Sequence, residues 1–169
     1  MKKILSVLSL SLVVSVSAAN ASSTPATLGE YDDWIAYSYK DAGGMVCYMA
    51  STPKKDEGKY TKRGDIYVVV THRPKEKSFG VVNFVAGYDY KPGAAVTVKI
   101  GKKTIDKIFT DGDKAWAIND QIDKDLVDTM RKGDRMIVSG TSSRGTTTKD
   151  TYSLRGFTSA YKAITAKCK

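Results

Sequence analysis

Histidine and cysteine are almost absent from this chain of 169 residues. It holds one histidine, His72, and two cysteines, Cys47 and Cys168. A closed zinc site takes four such ligands, so that class of site is excluded. A nucleophile and base pair would have to use His72, which stands among Arg73, Pro74 and Lys75 and reads as a surface residue at a strand end. The sequence signatures of common enzyme sites are missing as well. There is no His-Glu-x-x-His, no phosphate-cradling Gly-x-x-x-x-Gly-Lys loop and no Gly-x-Ser-x-Gly. Ser139-Gly140-Thr141-Ser142 lacks the leading glycine of the last of these. Asp111-Gly112-Asp113 has two carboxylates but not the other ligands of a calcium loop, and reads as a plain turn. Asp123, Asp125 and Asp128 read as the solvated side of a helix. The sequence therefore assigns no catalytic residue, no metal and no cofactor, and the expectation is a protein that is not an enzyme.

Long apolar runs are also scarce. The one near the start, Ile4 to Val16, is shorter than the roughly 20 residues that cross a bilayer. It follows the basic start Met1-Lys2-Lys3 and leads to Ala19-Asn20-Ala21, an A-x-A cleavage site. Residues 1–21 thus read as a secretory signal peptide, 22–30 as a short Ser/Thr-rich flexible leader, and 31–169 as one β-rich domain. The expected location is the periplasm, or the outer surface after secretion. That compartment is oxidising, which favours a Cys47–Cys168 disulfide over two free thiols or a metal pair.

Strand signals dominate what remains. Trp34 to Tyr39, Met45 to Ala50, Val81 to Ala86 and Arg135 to Ser139 are rich in residues that suit a pleated surface. Asp65 to Thr71 is the strongest strand and reads as buried on both faces. Val96, Val98 and Ile100 alternate with polar residues, and Gly101-Lys102 turns the chain into a return strand from Thr104 to Phe109. Residues 52–64 read as a charged loop. Two helices are predicted. One runs from Gln121 to Lys132, capped by Asn119 or Asp120 and closed by Gly133. The other runs from Phe157 to Lys167, with Phe157, Tyr161, Ile164 and Cys168 on its buried face. The predicted fold is mainly β: an antiparallel β-sandwich or barrel-like domain with two short helices and one disulfide.

Basic residues are in excess. Lysine and arginine number 27 against 18 aspartates and glutamates, a formal net charge of +9. Lys54, Lys55, Lys59, Lys62 and Arg63 cluster in the 52–64 loop, with Arg73 and Lys75 following. These residues are the candidate anion-binding set, for anionic envelope polymers or lipids. Nucleic acid does not suit the expected compartment. The Ser/Thr-rich turn from Ser139 to Thr148 offers hydroxyls and amides for an anion or a sugar. Arg63-Gly64-Asp65 has the form of an adhesion tripeptide but runs straight into a strand. A second expectation is an adaptor or adhesin that meets another envelope protein through Tyr60, Tyr88 and Tyr90; a third is a hydrolase whose site carries no familiar motif.

One tract carries a resemblance. Arg144-Gly145-Thr146, the run from Asp150 through Tyr152, Ser153, Leu154, Gly156 and Phe157 to Ala160, and the closing Cys168 resemble the invasion-associated locus B family of alphaproteobacteria. Trp34, Cys47, Ala115-Trp116 and Met136 to Gly140 extend the likeness over most of 31–169. The resemblance implies a secreted, sandwich-like domain with one disulfide, linked in pathogenic members to host-cell entry. It implies no catalytic residues.

Overall fold

A computed structural model describes residues 23–169 of the chain. The signal-peptide reading of 1–21 lies outside the described residues. Twelve strands and two α-helices follow in the order β1 (Ala26–Tyr31), β2 (Trp34–Asp41), β3 (Gly44–Ser51), β4 (Lys55–Gly58), β5 (Tyr67–Arg73), β6 (Ser78–Val85), β7 (Thr97–Ile100), β8 (Lys103–Ile105), β9 (Ile108–Asp111), β10 (Lys114–Ala117), α1 (Asp120–Met130), β11 (Arg135–Thr141), β12 (Thr147–Ser153) and α2 (Phe157–Lys167). A 3-10 turn, Pro74–Glu76, joins β5 to β6.

The strands form two antiparallel sheets. One has seven strands in the order β1-β2-β3-β5-β6-β10-β9, the other five in the order β4-β12-β11-β7-β8. Period-two patterning selects their inner faces. Trp34 and Ala36 on β2, Met49 on β3, Val68 and Val70 on β5, and Val82 and Phe84 on β6 are almost fully buried. Val98 and Ile100 on β7, Met136 and Val138 on β11, and Tyr152 on β12 supply the second sheet's share of one continuous core. Burying each valine, isoleucine, phenylalanine or methionine among them contributes about 1.5–3 kcal/mol. The mainly β, sandwich-like architecture with two helices agrees with the sequence reading.

Both helices pack on the larger sheet. The Asn119 side chain caps α1 by accepting the Ile122 N–H at 3.0 Å. Leu126, Val127 and Met130 are buried, and α1 packs on β6 and β10. Helix α2 packs on β1, β2 and β3. Its Phe157 meets Trp34 edge-on at 4.9 Å between ring centroids, while the Trp34 indole N–H donates to the Ser153 carbonyl on β12 at 3.1 Å. Cys168, just past α2, is bonded to Cys47 on β3, the two Cα atoms 6.0 Å apart and 121 positions apart in sequence.

Several local expectations are corrected. Residues 26–30 of the supposed leader belong to edge strand β1, paired to β2 across a bulge at Thr27/Gly29. The charged 52–64 loop contains β4, held by β12 from Lys55 to Gly58. Strand β5 is buried on one face only, its residues alternating from Tyr67 to Arg73. The segment 104–109 is two strands, β8 in the smaller sheet and β9 in the larger. Helix α1 ends at Met130 in right-handed geometry, so Gly133 is no left-handed cap. Gly133 is needed for another reason: a Cβ there would overlap Cγ2 of Ile100.

The registers leave the two outer faces chemically different. On the larger sheet, Ile35, Ala50, Val69, Asn83, Trp116 and Phe109 line up across six strands. Tyr37, Tyr48, Thr71 and Val81 form the adjacent row. On the smaller sheet the corresponding row is Lys55, Thr151, Ile137, Lys99 and Thr104.

Candidate functional site

Two tracts that stand apart in sequence meet across a cleft of about 790 Å³. One wall is the 59–65 segment that leads into β5. The other is the turn between β11 and β12, with Ser142, Ser143, Arg144, Thr146 and Thr148. Gly87, Tyr88 and Asp89, just past β6, form the floor between them. The floor is pinned from both sides. The Gly64 N–H donates to the Gly87 carbonyl at 2.8 Å, and the Ser143 N–H to the Asp89 carbonyl at 2.7 Å. Gly87 has a φ of +69°, and a Cβ on it would lie 2.5 Å from the Gly64 oxygen. Only glycine allows this approach at that φ.

Arg63 and Asp150 form a buried ion pair beneath the cleft. The guanidinium donates to both carboxylate oxygens at 2.7 and 2.6 Å, and its Nε donates to the Ala86 carbonyl at 2.7 Å. Only 3% of the Arg63 side chain and 6% of that of Asp150 are exposed. Tyr60 and Tyr88 cover the guanidinium, their ring centroids 5.4 and 4.9 Å from it. Burial disfavours both charges. Asp150 nevertheless holds the Arg63 guanidinium above its ordinary value, whereas desolvation lifts the Asp150 carboxyl above its own despite the pull of Arg63. Two-point geometry of this kind sets an orientation as well as an attraction. The Tyr88 hydroxyl and Thr148 Oγ1 lie 2.5 Å apart, tying the floor to β12. The pair is thus a rigid support under an aromatic surface.

The candidate anion-binding residues are dispersed by this arrangement. Arg63 is committed to Asp150. Lys54 pairs with Asp33 at 2.5 Å and Lys55 with Glu57 at 2.8 Å. Arg73 pairs with Asp41 at 2.9 Å and reaches Glu76 at 3.6 Å. Lys59 and Lys62 are exposed on the cleft, while Arg73 and Lys75 do not line it. Asp65, Asp89 and Asp113 line the same cleft and offset Lys59, Lys62 and Arg144. The cleft is therefore mixed in charge and rich in tyrosine and hydroxyl groups. Because Arg63 is buried, the Arg-Gly-Asp tripeptide does not present its arginine.

Other expected positions also move. His72 is a core residue, 1% exposed. Its Nδ1 accepts the Gly80 N–H at 2.8 Å, its Nε2 lies 3.0 Å from Thr165 Oγ1, and Phe79 and Tyr161 flank the ring. Burial lowers its pKa. Asp123 is buried beside β6, where one of its oxygens accepts the Val82 N–H at 2.8 Å. Tyr90, expected as an exposed aromatic, is 7% exposed, and burial raises its phenol far above the ordinary range. Both cysteines are in the disulfide. Among the described residues no three His, Cys, Asp or Glu side chains stand close enough to hold a metal ion. The cleft residues missed from sequence are Tyr67, Asp89 and Asp113, together with Asp150 in the ion pair beneath them. Asp150 lies in the Asp-x-Tyr-Ser-Leu run, and its position on the inner face of β12 was its signal.

A family model described as Invasion associated locus B (IalB) protein matches residues 34–165. That span begins at the core tryptophan, contains every residue of the cleft, and ends three positions before Cys168. No curated protein and no solved structure matches the chain.

Proposed function

The chain belongs to the Invasion associated locus B family, and on that premise we propose that it is an exported, non-enzymatic binding module whose cleft holds an extended segment of an envelope protein. The observation that carries this reading is the buried Arg63–Asp150 pair under Tyr60 and Tyr88. A prearranged tyrosine surface with hydroxyl groups and charges of both signs suits a polypeptide, which offers apolar, amide and charged groups together. The histidine and both cysteines are engaged in the fold, His72 in the core and Cys47 and Cys168 in the bridge, and Asp150 is held by Arg63. The apolar start of the chain supports export. The family's description as invasion associated adds contact with a host cell to the proposal.

A photo-crosslinking side chain at Ser143, compared with one at Thr104 on the opposite sheet edge, tests the site. Crosslinks to one envelope protein should form from Ser143 alone and fall when Tyr60→Ala and Arg144→Ala are combined. Equal yields from both positions, or no effect of the pair of substitutions, would refute the cleft as the site. Lys59, Lys62 and Arg144, which form no ion pair among the described residues, support a second reading, capture of an anionic envelope polymer or lipid by these cations. In that case binding should weaken steeply with salt, because exposed charges are screened within about 10 Å at 0.1 M ionic strength. A largely apolar and hydrogen-bonded contact persists.

A further inference from the structure

A second cluster of positive charge lies away from the cleft. The β7–β8 hairpin and the connection from α1 to β11 form a groove of about 580 Å³. Lys99, Lys102 and Lys103 come from the hairpin, and Lys132 and Arg135 from the connection and the start of β11. All five are exposed. None takes part in any of the ion pairs of the described residues. Asp134 is the single carboxylate in the lining, and it too forms no ion pair. Five like charges gathered around one carboxylate repel one another, which disfavours the empty groove and rewards an anion that enters it. The clustering depends on Gly133, because any side chain there would push the connection away from Ile100 and open the groove.

We propose that this groove binds an anionic polysaccharide, a glycan chain with repeated sulfate, phosphate or carboxylate groups. Four of the five cations are lysines, flexible point charges that accept anionic groups at varied spacing and orientation. No aromatic side chain lines the groove, so it lacks the stacking platform that single-stranded nucleic acids use. It is concave, and its apolar residues are recessed: Ile100 is 4% exposed and Ile137 half-buried. A bilayer surface calls instead for apolar side chains that project outward. Lys99 lies in the outer-face row of the smaller sheet, so a chain leaving the groove continues over the face that carries Lys55 and Lys149.

The test uses the mature, disulfide-bonded protein and a fluorescent heparin fragment as probe. Affinity should fall at least about tenfold between about 50 and about 200 mM salt, as expected when several ionic contacts release counterions. The variant combining Lys102→Glu, Lys103→Glu and Lys132→Glu should lose at least about thirtyfold. A control combining Lys54→Glu, Lys62→Glu and Lys75→Glu, with the same change in net charge, should lose less than about threefold. All six positions are exposed, and equal unfolding midpoints verify that both variants fold. Equal losses in the two variants would overturn the groove as the site. Tighter binding of an oligothymidylate or of phosphatidylglycerol vesicles than of heparin would overturn the ligand class, as would equal binding of uncharged dextran. The cleft contributes no residue to this groove, so its fate in crosslinking leaves this result unaffected.

Discussion

Replacing Asp123 by asparagine should stabilise the protein at neutral pH and leave it unchanged in acid. Asp123 lies 6% exposed between α1 and β6 and accepts the Val82 N–H at 2.8 Å. Burial pushes its carboxyl from 3.8 up to about 6; the Val82 N–H pulls it back and nearby Asp120 adds to the rise. Protonated Asp123 therefore favours the folded state. That advantage is complete below pH 3.8 and is lost as pH rises through about 6. At 1.36 kcal/mol per pKa unit, the ionised carboxylate carries a penalty of about 3 kcal/mol at pH 7. The D123N variant retains a carbonyl for Val82 and carries no charge, so it escapes the penalty. His72 acts in the opposite direction. Its pKa is lowered by burial, so stability falls as pH drops below its ordinary 6.5. The difference between parent and variant cancels that contribution. Urea unfolding at pH values from about 4 to about 8 should give coincident stabilities at the acid end and a gain of up to about 3 kcal/mol at the basic end. A difference that is constant across this range, or a variant less stable at pH 8, would refute an ionised, desolvated Asp123.

The Cys47→Ser/Cys168→Ser double variant removes a clasp across 121 positions. Loop-closure entropy predicts a loss of about 4–5 kcal/mol, read as a lower urea midpoint than the oxidised parent; matching midpoints would contradict it. Asp150→Ala strands the Arg63 guanidinium at 3% exposure and should cost about 3–5 kcal/mol. Combining Arg63→Met with Asp150→Leu should restore most of that loss, and a double variant as unstable as Asp150→Ala would show that the pair itself, not the stranded charge, matters.

The elements legible in sequence are those whose burial follows a simple period. Strand β2 alternates cleanly, the Asn119 cap starts α1, and the four-three-four spacing of Phe157, Tyr161, Ile164 and Cys168 puts the last cysteine on the buried face. Strand β4 was illegible because Lys-Asp-Glu-Gly has no intrinsic strand preference; pairing with β12 imposes the conformation. Strand β1 is an exposed edge with a bulge, so its pattern is broken. His72 was misread from its basic neighbours. The alternation of Val68 and Val70, continued by two residues, puts it on the inner face. The cleft was half legible: both of its walls stand out in sequence, but their meeting depends on Gly64 and Gly87. The basic groove was hidden because its cations come from separate short tracts, each unremarkable alone.

The bridge between β3 and the end of α2 also bears on the order of assembly. A ribosome makes Cys47 long before Cys168, 121 positions later, and α2 has no surface to rest on until β1, β2 and β3 are paired. The first strands are therefore built early and clasped last. Any chain that stops short of Cys168 retains Cys47 as a free thiol on an uncovered inner face. Oxidation state then reports on completeness: a full-length, folded molecule has no thiol to offer, and a truncated one advertises itself to every thiol-reactive partner it meets.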